Sequence, residues 1–174
     1  MKALNHFITI TKHRHAVIRH GFKAGIFFQT LFHDLSKYSF SEFPTGARYY
    51  AGTKSPNEKE RELYGYSRAW LHHKGRNKHH FEYWTDYNPK TRINEPVKMP
   101  IRYVKEMFCD RVAASKIYQG KNYNKTHPLE YFLRAKKVRF IHPETSDLLE
   151  FWLETLSQKG EYETFKIIKN TKTY

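Results

Sequence analysis

Apolar side chains recur at helical spacing along most of this 174-residue chain, and that spacing restricts the fold more than any other feature. The clearest stripe predicts a helix from Pro100 to about Tyr118 and consists of Ile101, Val104, Phe108 and Val112. Residues 7–35 have the same spacing and predict two helices, the second from Lys23 to Leu35. Gly21 and Gly25 mark either a break or a close contact between helices. Alternating, strand-like segments are scarce, so the sequence predicts an all-α fold.

Three further helices are predicted, over residues 57–73, 128–140 and 143–157. Residues 86–99 contain Asn88-Pro89 and Glu95-Pro96, which predict a long loop between helices. The length fits one compact domain. We therefore expect a single-domain helical bundle over residues 1–165 and a basic, flexible tail over residues 166–174.

Composition restricts the class of protein. Hydrophobic residues make up 39 % of the chain and aromatic residues 17 %, which argues against intrinsic disorder. No apolar run approaches the roughly 20 residues that a membrane span requires. Cys109 has no cysteine partner within the chain, which suits a reducing compartment. The first residues lack the pattern of a secretion signal. We expect a cytoplasmic protein that does not associate with membranes.

The formal net charge is +14, from 31 Lys and Arg against 17 Asp and Glu. Such an excess favours anionic partners. We expect an anionic small-molecule substrate, a nucleotide in the first instance, with nucleic acid as a further candidate partner. A solvated basic surface that serves only solubility is the alternative. The oligomeric state is left open.

The adjacent pair His33-Asp34 is the strongest chemical signal in the chain, because it places two metal-ligating groups on neighbouring residues. His13 precedes it and Asp110 follows it on separate predicted helices, so the four side chains could meet inside a bundle. Imidazole nitrogen and carboxylate oxygen together suit Mn, Fe, Co, Ni or Zn, with Mg as a further candidate. The alternative is a buried His-Asp pair that caps a helix. Isolated histidines are expected to be structural: His6, His15, His20, His127 and His142.

The order of these residues resembles the HD-domain superfamily of metal-dependent phosphohydrolases. The motifs that carry this resemblance are His13-Arg14, the run His33-Asp34-Leu35-Ser36-Lys37, and Asp110. A closer similarity is to a small uncharacterised family of short bacterial and phage HD-like proteins. It rests on Ala24-Gly25, Ser41-Glu42-Phe43, Met99-Pro100 and the segment Asn77-Lys78-His79-His80-Phe81-Glu82-Tyr83-Trp84.

The resemblance implies which residues form the site. His13, His33, Asp34 and Asp110 match the four ligands of one metal ion. A second ion would be held by a further histidine, His72 or His73, together with the pair His79-His80. Lys37 matches a lysine that contacts phosphate in the branch that cleaves cyclic dinucleotides. We therefore expect one or two divalent transition-metal ions, with Asp34 essential for metal loading and for turnover.

Other polar side chains near these motifs suit a phosphohydrolase. Arg76 and Lys78 can neutralise phosphate oxygens together with Lys37. Asn77 can donate a hydrogen bond to substrate, or else cap a helix. Glu42 and Glu82 can accept a proton or orient a ligand histidine, with a surface ion pair as the alternative for each.

The predicted function is metal-dependent hydrolysis of a phosphomonoester or phosphodiester in a nucleotide or a related small anion. A bound metal lowers the pKa of a coordinated water and polarises a phosphoryl oxygen. Three alternatives stay open at this point. The chain could be a non-catalytic nucleic-acid binder that uses Lys136, Lys137 and Arg139, a di-iron HD-type oxygenase, or an HD-like module with a structural or regulatory role.

Overall fold

Eight α-helices and one two-stranded sheet make up the computed structural model, which describes residues 1–174. The helices are α1 (Lys2–Ala24), α2 (Phe27–Thr30), α3 (Phe43–Arg48), α4 (Pro56–Tyr64), α5 (Arg68–Arg76), α6 (Ile101–Gln119), α7 (His127–Arg134) and α8 (Pro143–Asn170). The strands are β1 (Thr85–Asn88) and β2 (Ile93–Pro96), and short 3₁₀ turns lie at 35–38, 81–83, 120–122 and 136–138. The all-α prediction is confirmed, and no helix combines the length and apolar content needed to cross a bilayer.

Helix α6 is the central element, because it packs against α1, α7 and α8. Its predicted stripe is confirmed at Val104, Phe108 and Val112, which are completely buried. The Phe108 ring lies edge-on to Trp152, with ring centroids 6.1 Å apart. A second face of α1 and a second face of α6 carry polar side chains. The packing of the core therefore sets the distance between these two polar faces.

Helix α1 runs through Gly21 without a break and ends where Gly25 adopts a left-handed conformation (φ 76°). Of the two alternatives, the break therefore applies to Gly25 and the close helix contact to Gly21. Gly21 is needed for packing: a Cβ atom there would lie 2.2 Å from Oγ1 of Thr30. The predicted helix from Lys23 to Leu35 is wrong. Lys23 and Ala24 end α1, only Phe27–Thr30 form α2, and a tight turn follows, because the close contact between α1 and α2 reverses the chain.

The predicted helix over residues 57–73 is two helices. Gly65, at φ 77°, ends α4 in a left-handed conformation. Ser67 begins α5 by accepting a hydrogen bond from the backbone of Trp70 at 3.0 Å, and it donates to the buried Glu60 carboxylate at 2.6 Å. The two segments therefore point in different directions, and α5 alone carries histidines to the site.

Three other boundaries differ from the predictions. Residues 86–99 are not an irregular loop, because β1 and β2 pair antiparallel with Thr85 opposite Pro96. Helix α7 ends at Arg134, well before residue 140. Helix α8 continues past Ser157 to Asn170, bending at Gly160. The tail is held in place, because the Tyr174 hydroxyl donates to the Met99 carbonyl at 2.5 Å.

Candidate metal centre

Seven histidine and aspartate side chains from five separate segments converge at one face of α6. Helix α1 supplies His13, the turn after α2 supplies His33 and Asp34, α5 supplies His73, the turn before 81–83 supplies His79 and His80, and α6 supplies Asp110. All of them are buried except Asp110 and His80, which are half-buried. Asp34 adopts a left-handed conformation (φ 55°), which aspartate tolerates better than most residues.

The first set of ligand atoms comes from His13, His33, Asp34 and Asp110. Nε2 of His13 lies 2.9 Å from Oδ1 of Asp110 and 3.4 Å from Nε2 of His33. Nε2 of His33 lies 3.3 Å from Oδ2 of Asp34. Two ligand atoms bound to one ion at about 2.1 Å, with an angle of roughly 90–110° between them, are about 3.0–3.4 Å apart. The four side chains therefore have the spacing of one coordination sphere.

The second set comes from Asp34, His73, His79 and His80. Nε2 of His73 lies 2.9 Å from Nε2 of His80 and 3.3 Å from Oδ1 of Asp34. Nε2 of His79 lies 3.5 Å from the same oxygen. These separations also match a single coordination sphere, so the histidine pair and His73 form a second candidate metal position.

Asp34 belongs to both sets, and it faces them with different oxygens. Its Oδ2 lies near His13 and His33, whereas its Oδ1 lies near His73 and His79. Oδ1 of Asp34 and Nε2 of His79 are buried without any hydrogen-bond partner. Buried polar atoms without a partner are costly, and a cation between them would satisfy both. The donor set therefore fits two transition-metal ions that share the Asp34 carboxylate.

Glu106 supports both sets, and the sequence did not single it out. Its Oε1 accepts a hydrogen bond from Nδ1 of His33 at 2.9 Å and lies 3.4 Å from Nδ1 of His79. These contacts leave Nε2 of each ring free to bind metal, as outer carboxylates do in metal sites. Glu106 precedes Asp110 by four residues on α6, so it lies on the same helix face. That spacing was the signal that could have identified it.

Glu42 plays the same part for His73. It accepts hydrogen bonds from Nδ1 of His73 at 2.8 Å and from Nδ1 of His72 at 2.7 Å. The structure thus separates the two candidates left open by the sequence: His73 is buried among the ligands, whereas His72 is half-buried and reaches only Glu42. Asn77 lies behind this group and donates to the His73 carbonyl at 2.8 Å.

Burial and neighbouring charges leave Asp34 and His80 in the states that metal binding requires. For His33 and His73, burial lowers the pKa, but the neighbouring Asp34 carboxylate outweighs it and raises the pKa. Burial alone would raise the pKa of Asp34, but His33 and Lys37 outweigh it and hold that pKa well below its usual value. Burial, reinforced by His79, holds the pKa of His80 well below its usual value. A deprotonated carboxylate and a neutral imidazole are the forms that ligate metals.

The other predicted site residues differ in how close they lie to the ligand candidates and the cavity. Lys37 lies at the centre, with Nζ 2.6 Å from Oδ2 of Asp34. Glu82 lines the same cavity but contacts no ligand histidine, and burial raises its pKa. The structure does not bring the other predicted substrate contacts to the cavity, since Arg76 and Lys78 are exposed and Asn77 is buried behind His73.

A cavity of about 1040 Å³ opens onto the centre. Among the metal-ligand candidates, His13, His73, His80 and Asp110 face it, and Lys37 faces it beside them. The volume is at the upper end for small-molecule sites. The arrangement can therefore hold metal ions and a small anionic ligand together.

The isolated histidines that were expected to be structural lie in different surroundings. His20 lies against Phe165, and its Nδ1–H donates to the Cys109 carbonyl at 3.3 Å. Burial, reinforced by the ammonium group of Lys116, lowers the pKa of His20 to about 4. His6 is also buried, but His6 and His127 line the cavity, which His20 does not.

Comparison with protein-family models gives one match, a family of unknown function (DUF5662), over residues 2–155. No curated protein matches the chain. No solved structure matches it either. The matched range contains every residue of the candidate metal centre and most of the helical core. The chain therefore belongs to this family of unknown function, DUF5662.

Proposed function

We propose that this protein is an HD-type phosphohydrolase that uses two divalent transition-metal ions to cleave a phosphate ester of a nucleotide or a related small anion. The observation that carries the proposal is the position of Asp34, which turns one carboxylate oxygen to each of two histidine-rich ligand sets. Such a shared carboxylate between two sets is hard to explain as a structural device, since it leaves Oδ1 without a hydrogen bond.

Metal ions in these positions would supply a coordinated water of lowered pKa and would polarise a phosphoryl oxygen. The chain's own groups do the rest. Lys37 holds a positive charge at the mouth of the centre, where it can bind a non-bridging phosphate oxygen. Glu106 and Glu42 hold the ligand imidazoles in the tautomer that presents Nε2.

The cationic residue at the centre favours hydrolysis of an anion over oxygen chemistry. Lys37 lines the cavity beside the ligands, and burial is outweighed there by Asp34, which raises the pKa of the lysine above its usual value. It therefore stays charged at any physiological pH. A di-iron oxygenase acting on a neutral substrate has no evident use for this charge.

The hypothesis of a nucleic-acid binder depends on free basic side chains, and two of these side chains have partners within the protein. Lys136 forms an ion pair with Glu150, and Arg139 donates to the Phe132 carbonyl at 2.8 Å and turns toward the cavity. Lys136 and Arg139 therefore already have partners within the molecule and do not form a free basic surface patch. Arg139 also faces the small-molecule cavity, where it can contact an anionic ligand.

Elemental analysis of purified protein tests the metal half of the proposal. We expect about two equivalents of transition metal in the wild type and near-complete loss in Asp34→Asn. His13→Ala and His80→Ala should each lose about one equivalent, because they belong to different sets. His15→Ala is the matched control, since His15 lies on α1 two residues from His13 but is exposed.

Turnover of bis-p-nitrophenyl phosphate and p-nitrophenyl phosphate with Mn, Co, Ni, Zn or Mg tests the reaction. We expect chelator-sensitive hydrolysis that Asp34→Asn abolishes while the far-UV circular dichroism spectrum is retained. Full turnover by Asp34→Asn would refute the proposal. Iron content with a visible absorption band, without hydrolysis, would favour the oxygenase instead.

A further inference from the structure

The cavity that opens onto the candidate metal centre has a second polar region. Three arginine side chains line it there, from α6, from the end of α7 and from the segment after the 136–138 turn: Arg111, Arg134 and Arg139. We call this group the arginine wall. Arg111 directly follows the ligand candidate Asp110, and consecutive Cα atoms are about 3.8 Å apart, so one small ligand can reach both regions.

The wall is assembled around two aromatic rings. The guanidinium carbons of Arg111 and Arg139 lie 5.8 Å and 5.1 Å from the Phe132 ring centroid. Those of Arg134 and Arg139 lie 5.6 Å and 5.5 Å from the Tyr131 centroid. Phe132 is fully buried, so the rings fix where the cations stand.

No carboxylate lies within ion-pair distance of these cations, and Asp110 and Glu82 act on them only from farther away. The ion pairs of the molecule involve lysines and histidines, and none reaches an arginine of the wall. Glu82 lines the same cavity without pairing to them, and one of its carboxylate oxygens has no hydrogen-bond partner. Nε of Arg111 is buried and also lacks a partner. Burial, reinforced by the like charge of Arg111, lowers the pKa of Arg139 to about 10.

Three like charges held together at a cavity wall repel one another, and a bound anion removes that repulsion. Arginine is the side chain best suited to phosphate, since its planar guanidinium offers two parallel N–H donors to two oxygens. Lys37 and the candidate metal centre already provide for one phosphoryl group, and the arginine wall lines the same cavity with a separate set of residues.

We propose that the arginine wall binds a second phosphoryl group, so that the substrate is a small molecule with two phosphate groups, one at the metal centre and one at the wall. The role of the first group rests on the proposed function. Binding of phosphate by the wall itself does not depend on metal, and the two can therefore be tested apart.

Calorimetric titration of chelator-treated protein with inorganic pyrophosphate, at 0.15 M salt, tests the wall. We expect Arg111→Met and Arg134→Met each to weaken binding at least tenfold, which corresponds to about 1.4 kcal/mol. Arg102→Met is the matched control, since Arg102 is an exposed arginine on α6 that also lies over an aromatic ring and does not line the cavity. Arg134 is exposed, so its removal should not disturb folding.

Equal loss in Arg102→Met would overturn the proposal, because it would show that pyrophosphate responds only to net charge. Unchanged binding in both wall variants would overturn it as well. Metal content should be the same in all three variants, so a defect of the metal centre is recognised separately.

Turnover supplies the second measurement. With metal present, kcat/KM for a nucleoside 3′,5′-bisphosphate should exceed that for the corresponding 5′-monophosphate at least tenfold, and Arg134→Met should remove that preference. Absence of metal and turnover, with pyrophosphate binding retained at the wall, would refute the proposed function and leave the wall as a phosphate site. Equal use of both nucleotides by the wild type would refute the second phosphoryl group.

Discussion

Replacing Gly21 by alanine tests how the packing of α2 positions His33 and Asp34 in the candidate metal centre. Alanine in a helix interior is ordinarily worth about 0.5–1 kcal/mol relative to glycine. At residue 21, however, the new Cβ would lie 2.2 Å from Oγ1 and 2.5 Å from Cγ2 of Thr30. Thr30 cannot turn away easily, because it is completely buried and its hydroxyl donates to the Phe27 carbonyl at 2.8 Å.

Forcing an extra methyl group into a packed contact costs about 1–3 kcal/mol, so we expect a net loss of about 1–2 kcal/mol. For a chain of this size that lowers Tm by about 2–8 °C. Thermal unfolding in excess chelator measures it without a contribution from bound metal. Because Asp34 follows Thr30 by four residues, metal retention in the untreated protein should fall as well.

Gly75→Ala is the matched control, since Gly75 also lies within a helix but a Cβ there would meet nothing within 4 Å. We expect this variant to gain about 0.5–1 kcal/mol and to rise in Tm by about 1–4 °C. If Gly21→Ala were stabilised as much as Gly75→Ala, the close contact between α1 and α2 would not exist, and the route by which the fold positions Asp34 would need another explanation.

Three further predictions concern single side chains. Glu106→Gln should weaken metal affinity about 10–100-fold, because it weakens the hydrogen bond that orients His33. Competition with a chromogenic chelator measures this affinity, and an unchanged value would show that Glu106 does not orient the ligand. Because the pKa of His20 is lowered to about 4, the unfolded chain takes up this proton at a higher pH than the folded chain does. The free energy of unfolding of the wild type should therefore decrease by up to about 3 kcal/mol as the pH falls from 6.5 to 4. Urea titrations across that range should show a smaller decrease for His20→Gln, and an equal decrease would contradict the lowered pKa of His20. Tyr174→Phe should cost about 1 kcal/mol through its lost bond to Met99, and no change in the urea midpoint would show that the terminus is not held.

The spacing of apolar side chains in the sequence predicts the all-α class, and the residue types predict the chemistry of the ligand candidates. The stripe on α6 is a property of side-chain spacing, which the 3.6-residue period turns directly into a buried face. Imidazole and carboxylate groups are recognisable as metal ligands wherever they occur. The sequence therefore groups His13, His33, Asp34 and Asp110, and the structure brings them together.

Only the tertiary structure decided which neighbours share a face or a turn. His72 and His73 differ by about 100° around α5, so the packing of that helix determines which of them meets Asp34. The shared Asp34 carboxylate depends on a left-handed residue after α2, and the arginine wall joins residues of α6 to residues more than twenty positions later. Such convergence results from the packing of α1, α6 and α8 around one core, and a linear sequence specifies side chains without showing which of them that packing will place in contact.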